Sequence, residues 1–220
     1  MNNKTYIKNN WEKIYENGNY FYYPDSNFVS LFFKIKKYFF SFNKCLDFGC
    51  GSGNNSEFLQ LYFQEIYVVD ISINALEITK KRLSLKENKY FNTIIQDDMN
   101  ELDCILAWQS LYYGTFTDFK DKLFKLIKIL NKNGIIMFTL LKNNDSKILY
   151  SDFINKTDYV INDNIPTQKG CNIFFVDSSI IVKIMNDYGL EIIDYGEFCR
   201  NSYKKENSKM SEYYFIGQKK

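Results

Sequence analysis

The feature that most constrains this chain is an alternation that begins at Asn43, where short apolar runs are each followed by a stretch of helical periodicity. "KCLDFG", "EIYVVD", "FNTIIQDD", "DCILAW" and "IIMFTLL" read as successive strands. Between them, "EFLQLYF" (capped by Asn54, Asn55 or Ser56), "INALEITKKRLSL" (capped by Ser72) and "FKDKLFKLIKIL" read as helices, the last ended by the Asn133-Gly134 turn. Strands that alternate with helices pair in parallel, because each crossover lays a helix back on a face of the sheet. "SIIVKIMNDYG" adds a helix stopped by Gly189, and "LEIIDYGEF" and "SEYYFIGQ" read as two closing strands.

Two segments stand outside the alternation. Residues 1–42 are crowded with aromatics, as in "NYFYYPDSNFVSLFFKIKKYFFSF", and are expected to form a helical cap that packs on the sheet. Residues 142–175 are a polar, Asn-rich insertion. With no internal repeat and no linker, 220 residues fit one well-buried domain, 1–220. Within it, 43–141 would carry the ligand edge, 142–175 an insertion beside it, and 176–220 a closing helix and strand hairpin.

Composition removes several classes of function. Lys plus Arg number 28 against 26 acids, a formal net charge of +2, so nothing calls for a nucleic-acid partner. "KIKK", "SYKKENSK" and "QKK" read as solvated charge. No apolar run approaches the roughly 20 residues that span a bilayer, and "MNNKTYIKNNWEK" lacks the apolar stretch of a signal peptide. Five cysteines without a CxxC pair read as reduced thiols, which points to the cytoplasm. Histidine is absent altogether, which removes the commonest general base and the commonest metal ligand. No metal site is expected.

The glycine run in "CLDFGCGSGNN" joins the first strand to a helix, a place where backbone N–H groups approach a ligand closely. Its spacing is GxGxG, at Gly49, Gly51 and Gly53. A dinucleotide GxGxxG would need glycine where Asn54 stands, so the loop leans away from a nicotinamide cofactor. Asp70 ends the second strand, where a carboxylate accepts both hydroxyls of a ribose. Asp97 and Asp98 end the third strand beside where an adenine would lie, with Asp98 assigned to its exocyclic amine and Met99 to its ring. Asp47 precedes the glycines, placed to orient the loop or, through water, an ammonium group.

These residues carry a resemblance. "LDFGCGSG" is similar to the glycine motif of the class I S-adenosylmethionine-dependent methyltransferases, "VVDIS" to their ribose-binding strand end, and "IIQDDM" to their adenine-binding segment. "AWQSLYYG" takes the position after the fourth strand, and "LIKILNKNGIIMFTLL" resembles the family's helix, turn and fifth strand. The match is strong over roughly residues 43–141. One departure is that only "NEL" separates Met99 from Asp103, so the usual connecting helix is nearly absent.

The resemblance implies a Rossmann-like, doubly wound, mostly parallel seven-stranded sheet, helices on both faces, and an antiparallel last strand inserted before its predecessor. It implies S-adenosylmethionine as cofactor and S-adenosylhomocysteine as product. Binding would fall to Asp47 with Gly49, Cys50, Gly51 and Gly53, to Asp70 and Ile71 at the ribose, to Asp97, Asp98 and Met99 at the adenine, and to Trp108.

The electrophilic methyl leaves the protein chiefly to position the acceptor in line, at about 3 Å. A neutral hydroxyl also needs a base, which here could only be Tyr, Asp, Glu or Lys; a phosphate, phosphoramidate or carboxylate oxygen needs none. The sequence lacks the adjacent prolines of DNA amino-methylation, the paired glutamates of protein-arginine methylation and the acidic ligands of the metal-dependent catechol type.

Trp108, Gln109, Tyr112 and Tyr113 are expected to line the transfer channel, with Trp108, Gln109 and Tyr113 as positioning candidates. Trp11, Tyr15, Tyr22 and Tyr23 would form a lid. Arg200, with Tyr203, would anchor an anionic group on the acceptor. The expected activity is methylation of a small polar acceptor, at oxygen, on a sugar- or phosphoryl-type intermediate of surface-glycan or secondary metabolism. A nicotinamide-dependent oxidoreductase and a catalytically inactive cofactor-binding module are the competing readings. Oligomeric state is not set by the sequence.

Overall fold

The computed structural model describes residues 3–18, 20–83, 90–91, 99–162, 165, 168–201 and 209–220. At the centre of the sheet β1 (Lys44–Phe48) pairs in parallel with β2 (Glu65–Val69) and β4 (Leu102–Ala107). β2 continues in parallel to the short β3 (Tyr90–Phe91), and β4 to β5 (Leu130–Leu141). β9 (Leu190–Asn201) forms the far edge, and β10 (Lys209–Lys219) runs antiparallel between β5 and β9. The order is therefore β3-β2-β1-β4-β5-β10-β9. The last strand does insert before its predecessor. Most of the expected third strand, 92–98, lies outside the described residues.

Both faces of the central strands are covered, which is why β4 is buried at every position. Alternate residues enter opposite cores. Cys45, Cys104 and Leu106 join Phe28, Phe32, Leu59 and Leu76 on one side, from α2 (Ser26–Ile35), α3 (Asn54–Leu59) and α4 (Ile73–Leu83). Leu46, Ile105 and Ala107 join Phe119, Leu123 and Ile181 on the other, from α5 (Phe116–Ile129) and α6 (Ser178–Asp187). α5 opens with a capping box in which Thr115 and Asp118 satisfy each other's backbone.

The aromatic N-terminal segment forms two helices rather than one cap. α2 packs on the sheet as expected: Asp25 caps it by accepting from the N–H groups of Asn27 and Phe28, at 2.9 and 3.2 Å, and it buries Phe28, Leu31, Phe32 and Ile35. Each such ring removed from water contributes about 2–3 kcal/mol. α1 (Asn3–Glu16) instead meets the start of α4 through Glu12 and the glycine turn after β1 through Tyr15.

The polar insertion is more regular than its composition suggests. It folds into a second, antiparallel sheet of β6 (Ser151–Phe153), β7 (Asp158–Ile161) and β8 (Asn172–Phe174). Strands this short give little periodicity to read, but Ile161, Ile173 and Phe174 are buried in the main core. Asp158 ties the insertion to α5 by accepting from the Phe116 N–H at 2.7 Å.

Candidate active site

The chain order reverses between β1 and β4, and at such a switch point a crevice opens beyond the strand ends. Here the backbone turns sharply: the N–H groups of Gly49 and Cys50 both donate to the Val69 carbonyl, at 2.7 and 3.0 Å. Gly49 and Gly51 take φ of +75° and +55°, and neither has room for a side chain. A Cβ on Gly49 would fall 2.3 Å from the Cβ of Ser110, and one on Gly51 would fall 2.6 Å from the Tyr15 hydroxyl. Ser110 itself donates to the Phe48 carbonyl at 2.7 Å, so the loop after β4 is fastened to the glycine turn.

Asp70 follows β2 and is buried. Its Oδ2 accepts from the Gly51 N–H and its Oδ1 from the Ser72 N–H, each at 2.9 Å. Burial pushes its pKa up to about 6 against those hydrogen bonds, with the charge of Glu12 adding to the rise. Each carboxylate oxygen keeps a further lone pair, so the group fits the two hydroxyls of a ribose. Asp47, buried in β1, accepts from Ser56 Oγ at 2.6 Å, and burial raises its pKa to about 7. A tight glycine turn beside a strand-end acid fits a nucleoside-bearing cofactor such as S-adenosylmethionine. Cys50 and Met99 are buried and Ile71 is exposed; Asp97 and Asp98 lie outside the described residues.

α1 roofs this crevice. Glu12 caps the first turn of α4, accepting from Ser72 Oγ at 2.8 Å and from the N–H groups of Ile73 and Asn74 at 2.8 and 3.0 Å. Burial works against the charge, but these hydrogen bonds hold its pKa below the usual value. At the other side Asn10 Nδ2 donates to the Lys169 carbonyl of the insertion at 2.8 Å. Three residues after Glu12, Tyr15 reaches over Gly51, and burial together with the charges of Asp70 and Asp47 drives its hydroxyl far above the ordinary pKa. Trp11 meets Tyr113 edge to face, with ring centres 5.0 Å apart. Two expected lid residues do not join them. Tyr22 and Tyr23 are 64% and 83% exposed. Their stretch is held by its carbonyls, with Arg82 donating to Phe21 and Tyr22, Ser52 to Phe21 and Asn54 to Tyr23, so the rings project outward.

In the loop after β4, Tyr112 and Tyr113 pack with ring centres 4.6 Å apart, and Lys147 Nζ lies 5.8 Å from the centre of the Tyr112 ring. Burial raises both tyrosine pKa values. Gln109 adopts a φ of +54°, its N–H donating to Thr139 Oγ1 and its Nε2 donating to Glu212 at 3.1 Å. Asp145 is also buried and accepts from the Ser211 N–H at 2.7 Å.

Trp108 departs from the expected channel wall. It shares the strand face of Leu106, so its indole enters the α2 core, 5.7 Å from Phe28 and 6.1 Å from Phe198. Arg200 sits opposite Met210 in the β9–β10 hairpin and is exposed, outside this group; Tyr203 lies outside the described residues.

Glu12, Asp145, Lys147 and Glu212 were not anticipated. Glu12 and Lys147 lie in polar stretches that carry no signal. Glu212 did leave one, an acid inside the last strand "SEYYFIG", but an acid on a strand equally marks a solvent face. No group of three or more candidate metal ligands occurs, and no helix is long and apolar enough to cross a membrane, among the described residues.

A glycine turn after β1, an acid at the end of β2 and an antiparallel final strand define the class of Rossmann-like methyltransferases. The chain matches the family model described as a methyltransferase domain over residues 19–195, and it belongs to that family. No curated protein matches it in sequence. Solved structures share its fold at low identity. The S-adenosylmethionine-dependent methyltransferase of Anabaena variabilis aligns with a TM-score of 0.68 at 14% identity, covering 100% of this chain and 96% of that one. The N-methyltransferase NodS of Bradyrhizobium japonicum, in complex with S-adenosylhomocysteine, gives 0.65 at 12%, covering 100% and 99%. The 1,6-didemethyltoxoflavin-N1-methyltransferase of Burkholderia thailandensis, with 1,6-didemethyltoxoflavin and S-adenosylhomocysteine bound, gives 0.67 at 9%, covering 98% and 88%.

Proposed function

We propose that this methyltransferase takes its methyl group from S-adenosylmethionine and delivers it to a small polar acceptor, at the oxygen of a sugar-type hydroxyl. The observation that carries this is the roofed crevice. Tyr15 closes over the glycine turn and Asp70, and the same helix meets Tyr113 through Trp11 on the acceptor side. A site flanked by α1, by the loop after β4 and, through Asn10, by the insertion suits a small molecule better than a polymer. The neighbours crystallised with S-adenosylhomocysteine support the cofactor.

S-adenosylmethionine supplies an electrophilic methyl when bound. The chain's own part is to hold cofactor and acceptor in line and keep water out. Asp70 is placed to accept the ribose hydroxyls, and the glycine turn lets the backbone close in beside it. The tyrosine pair presents an aromatic wall with polar tips to the acceptor.

An anionic phosphoryl-type acceptor fits less well, because buried Glu212 and Asp145 would repel it and Arg200 is exposed. Methylation at an amine nitrogen is the second reading, favoured by those same acids. Five free cysteines, four of them buried, accord with the cytoplasm. A place in surface-glycan or secondary metabolism is supported by the sequence resemblance alone.

Calorimetry tests the proposal first. S-adenosylhomocysteine should bind and NAD should not; the reverse would return the oxidoreductase reading. A methyl-transfer screen over neutral, amino and phosphorylated sugars follows. Cofactor affinity without transfer to any of them would favour the inactive module.

A further inference from the structure

Glu212 is a buried acid that the crevice has not yet used. It lies on β10 opposite Leu141 of β5 and Phe198 of β9, and it is 2% exposed. Its Oε2 accepts from Gln109 Nε2 at 3.1 Å. Its Oε1 is buried with no hydrogen-bond partner among the described residues. A buried carboxylate oxygen without a partner is costly, and a ligand group that donates to it removes the cost.

The surroundings place Glu212 against the loop after β4. Gln109 immediately precedes Ser110, which packs onto Gly49 of the glycine turn. Tyr112 and Tyr113 of the same loop are near enough to feel the charge of Glu212. Lys147 approaches from beyond β5 and favours the ionised form, while Asp145 and Asp25 oppose it. Burial is the largest influence and pushes the pKa up to about 7, in the range where a carboxylate serves as a general base near neutrality.

The other bases open to a chain without histidine are worse placed. Burial drives the hydroxyls of Tyr15, Tyr112 and Tyr113 upward, so they hold their protons at neutral pH. Asp47 accepts from Ser56 within the core.

Building on the methyltransferase reading, we infer that Glu212 is the proton acceptor of the transfer, its Oε1 receiving a hydrogen bond from the O–H or N–H of the methyl acceptor while Gln109 holds the carboxylate in place. As the acceptor's lone pair forms its bond to the methyl carbon, the sulfur–methyl bond breaks and its electron pair returns to sulfur. The acceptor's proton passes to Glu212, which becomes a neutral carboxylic acid and later releases the proton to water. The acceptor is therefore a proton-bearing hydroxyl or amine, and Gln109 is a positioning residue.

Three measurements on the full chain test this. By calorimetry, wild type and Glu212→Gln should bind S-adenosylhomocysteine equally. Failure of the wild type to bind would sink the methyltransferase reading instead, and failure of the variant alone would move Glu212 to the cofactor and overturn the inference. By infrared titration of the complex from about pH 5 to about pH 9, Asp47, Asp70 and Glu212 should each give a carboxylic-acid carbonyl band that titrates near neutrality, and the wild-type minus Glu212→Gln difference should show the loss of one of them; identical titrating bands in the two proteins overturn the inference without any acceptor in hand. With methyl glycosides and amino sugars as probes, Glu212→Gln should lower kcat by 10²-fold or more. Acceptor KM should hold within about threefold, and the rise of kcat through neutral pH should disappear. Equal kcat, or a change confined to KM, overturns it. Should Glu212→Gln not fold, Glu212→Asp is measured instead, with a shifted band and a reduced kcat expected; wild-type behaviour of both overturns the inference.

Discussion

The hydroxyl of Tyr15 stands over the backbone of Gly51, so close that a Cβ built on Gly51 falls 2.6 Å from it. Tyr15 and Gly51 are thus fitted to each other at one edge of the proposed cofactor site, with no room for a side chain at position 51. Gly51→Ala should lower S-adenosylhomocysteine affinity by 10²-fold or more, about 2.7 kcal/mol. The left-handed φ of +55° should add about 1–2 kcal/mol of strain to the fold. Tyr15→Phe keeps the ring and should bind with a smaller loss. Calorimetry on both variants checks the pair, and equal affinity in Gly51→Ala would show that the cofactor does not pass this point.

Glu12 latches the roof to the first turn of α4 through three accepted hydrogen bonds. A carboxylate at a helix start is stabilised both by the free N–H groups and by the helix dipole, about 1–2 kcal/mol together. Glu12→Ala should therefore open α1 more often. S-adenosylhomocysteine should dissociate about tenfold faster by stopped flow, and amide exchange in α1 should accelerate while β1 and β4 stay protected. An unchanged dissociation rate would mean that the cofactor leaves by another route.

Asp70 holds the loop, and in the proposed function it holds the cofactor as well. It already accepts from the N–H groups of Gly51 and Ser72, so Asp70→Ala should both loosen the glycine turn and remove the ribose contacts. We expect a loss of about 1.5–3 kcal/mol in cofactor binding, with a lower melting temperature for the empty protein. Calorimetry separates the two, and full affinity in a destabilised variant would remove Asp70 from the cofactor site.

Stability should depend on pH in a definite direction. Asp47, Asp70 and Glu212 have folded-state pKa values raised to about 7, 6 and 7, chiefly by burial. A raised carboxylate pKa means that the folded state binds the proton more tightly than the unfolded one. Their contribution is therefore full near the unfolded carboxylate pKa of about 4 and is lost as the pH climbs through 6 to 7. Between about pH 5 and about pH 8, Glu212 alone should account for on the order of 2 kcal/mol, and Glu212→Gln should flatten the fall in melting temperature across that range. Scanning calorimetry of the pair checks the sign, and a steeper fall in the variant would contradict it.

The sheet was legible because its signals are local. "CLDFGCGSG" announces strand, turn and helix within a few residues, and the left-handed φ of Gly49 and Gly51 favours glycine locally, to which the tertiary structure adds the close approach of Ser110 and Tyr15. Asp47 and Asp70 were legible for the same reason, since the strand ends that carry them can be read from hydrophobic runs. Trp108 was misplaced because a run ending in "AW" does not say which face the last residue takes; the position of α2 decided that.

What the sequence alone determined is the alternation of strands and helices, the tight turn that admits a cofactor, and the acids at the strand ends. Each follows from periodicity, backbone geometry or spacing within a dozen or so residues. Only the tertiary structure brought Glu12 to the start of α4, Tyr15 over Gly51, and Gln109 against Glu212. Those contacts join residues far apart in the chain, and the same glutamate or tyrosine in the same local sequence would serve equally well in solvent. Burial then raised Glu212 toward neutrality, because the cost of a charge away from water depends on the surrounding atoms and not on the residues beside it in sequence.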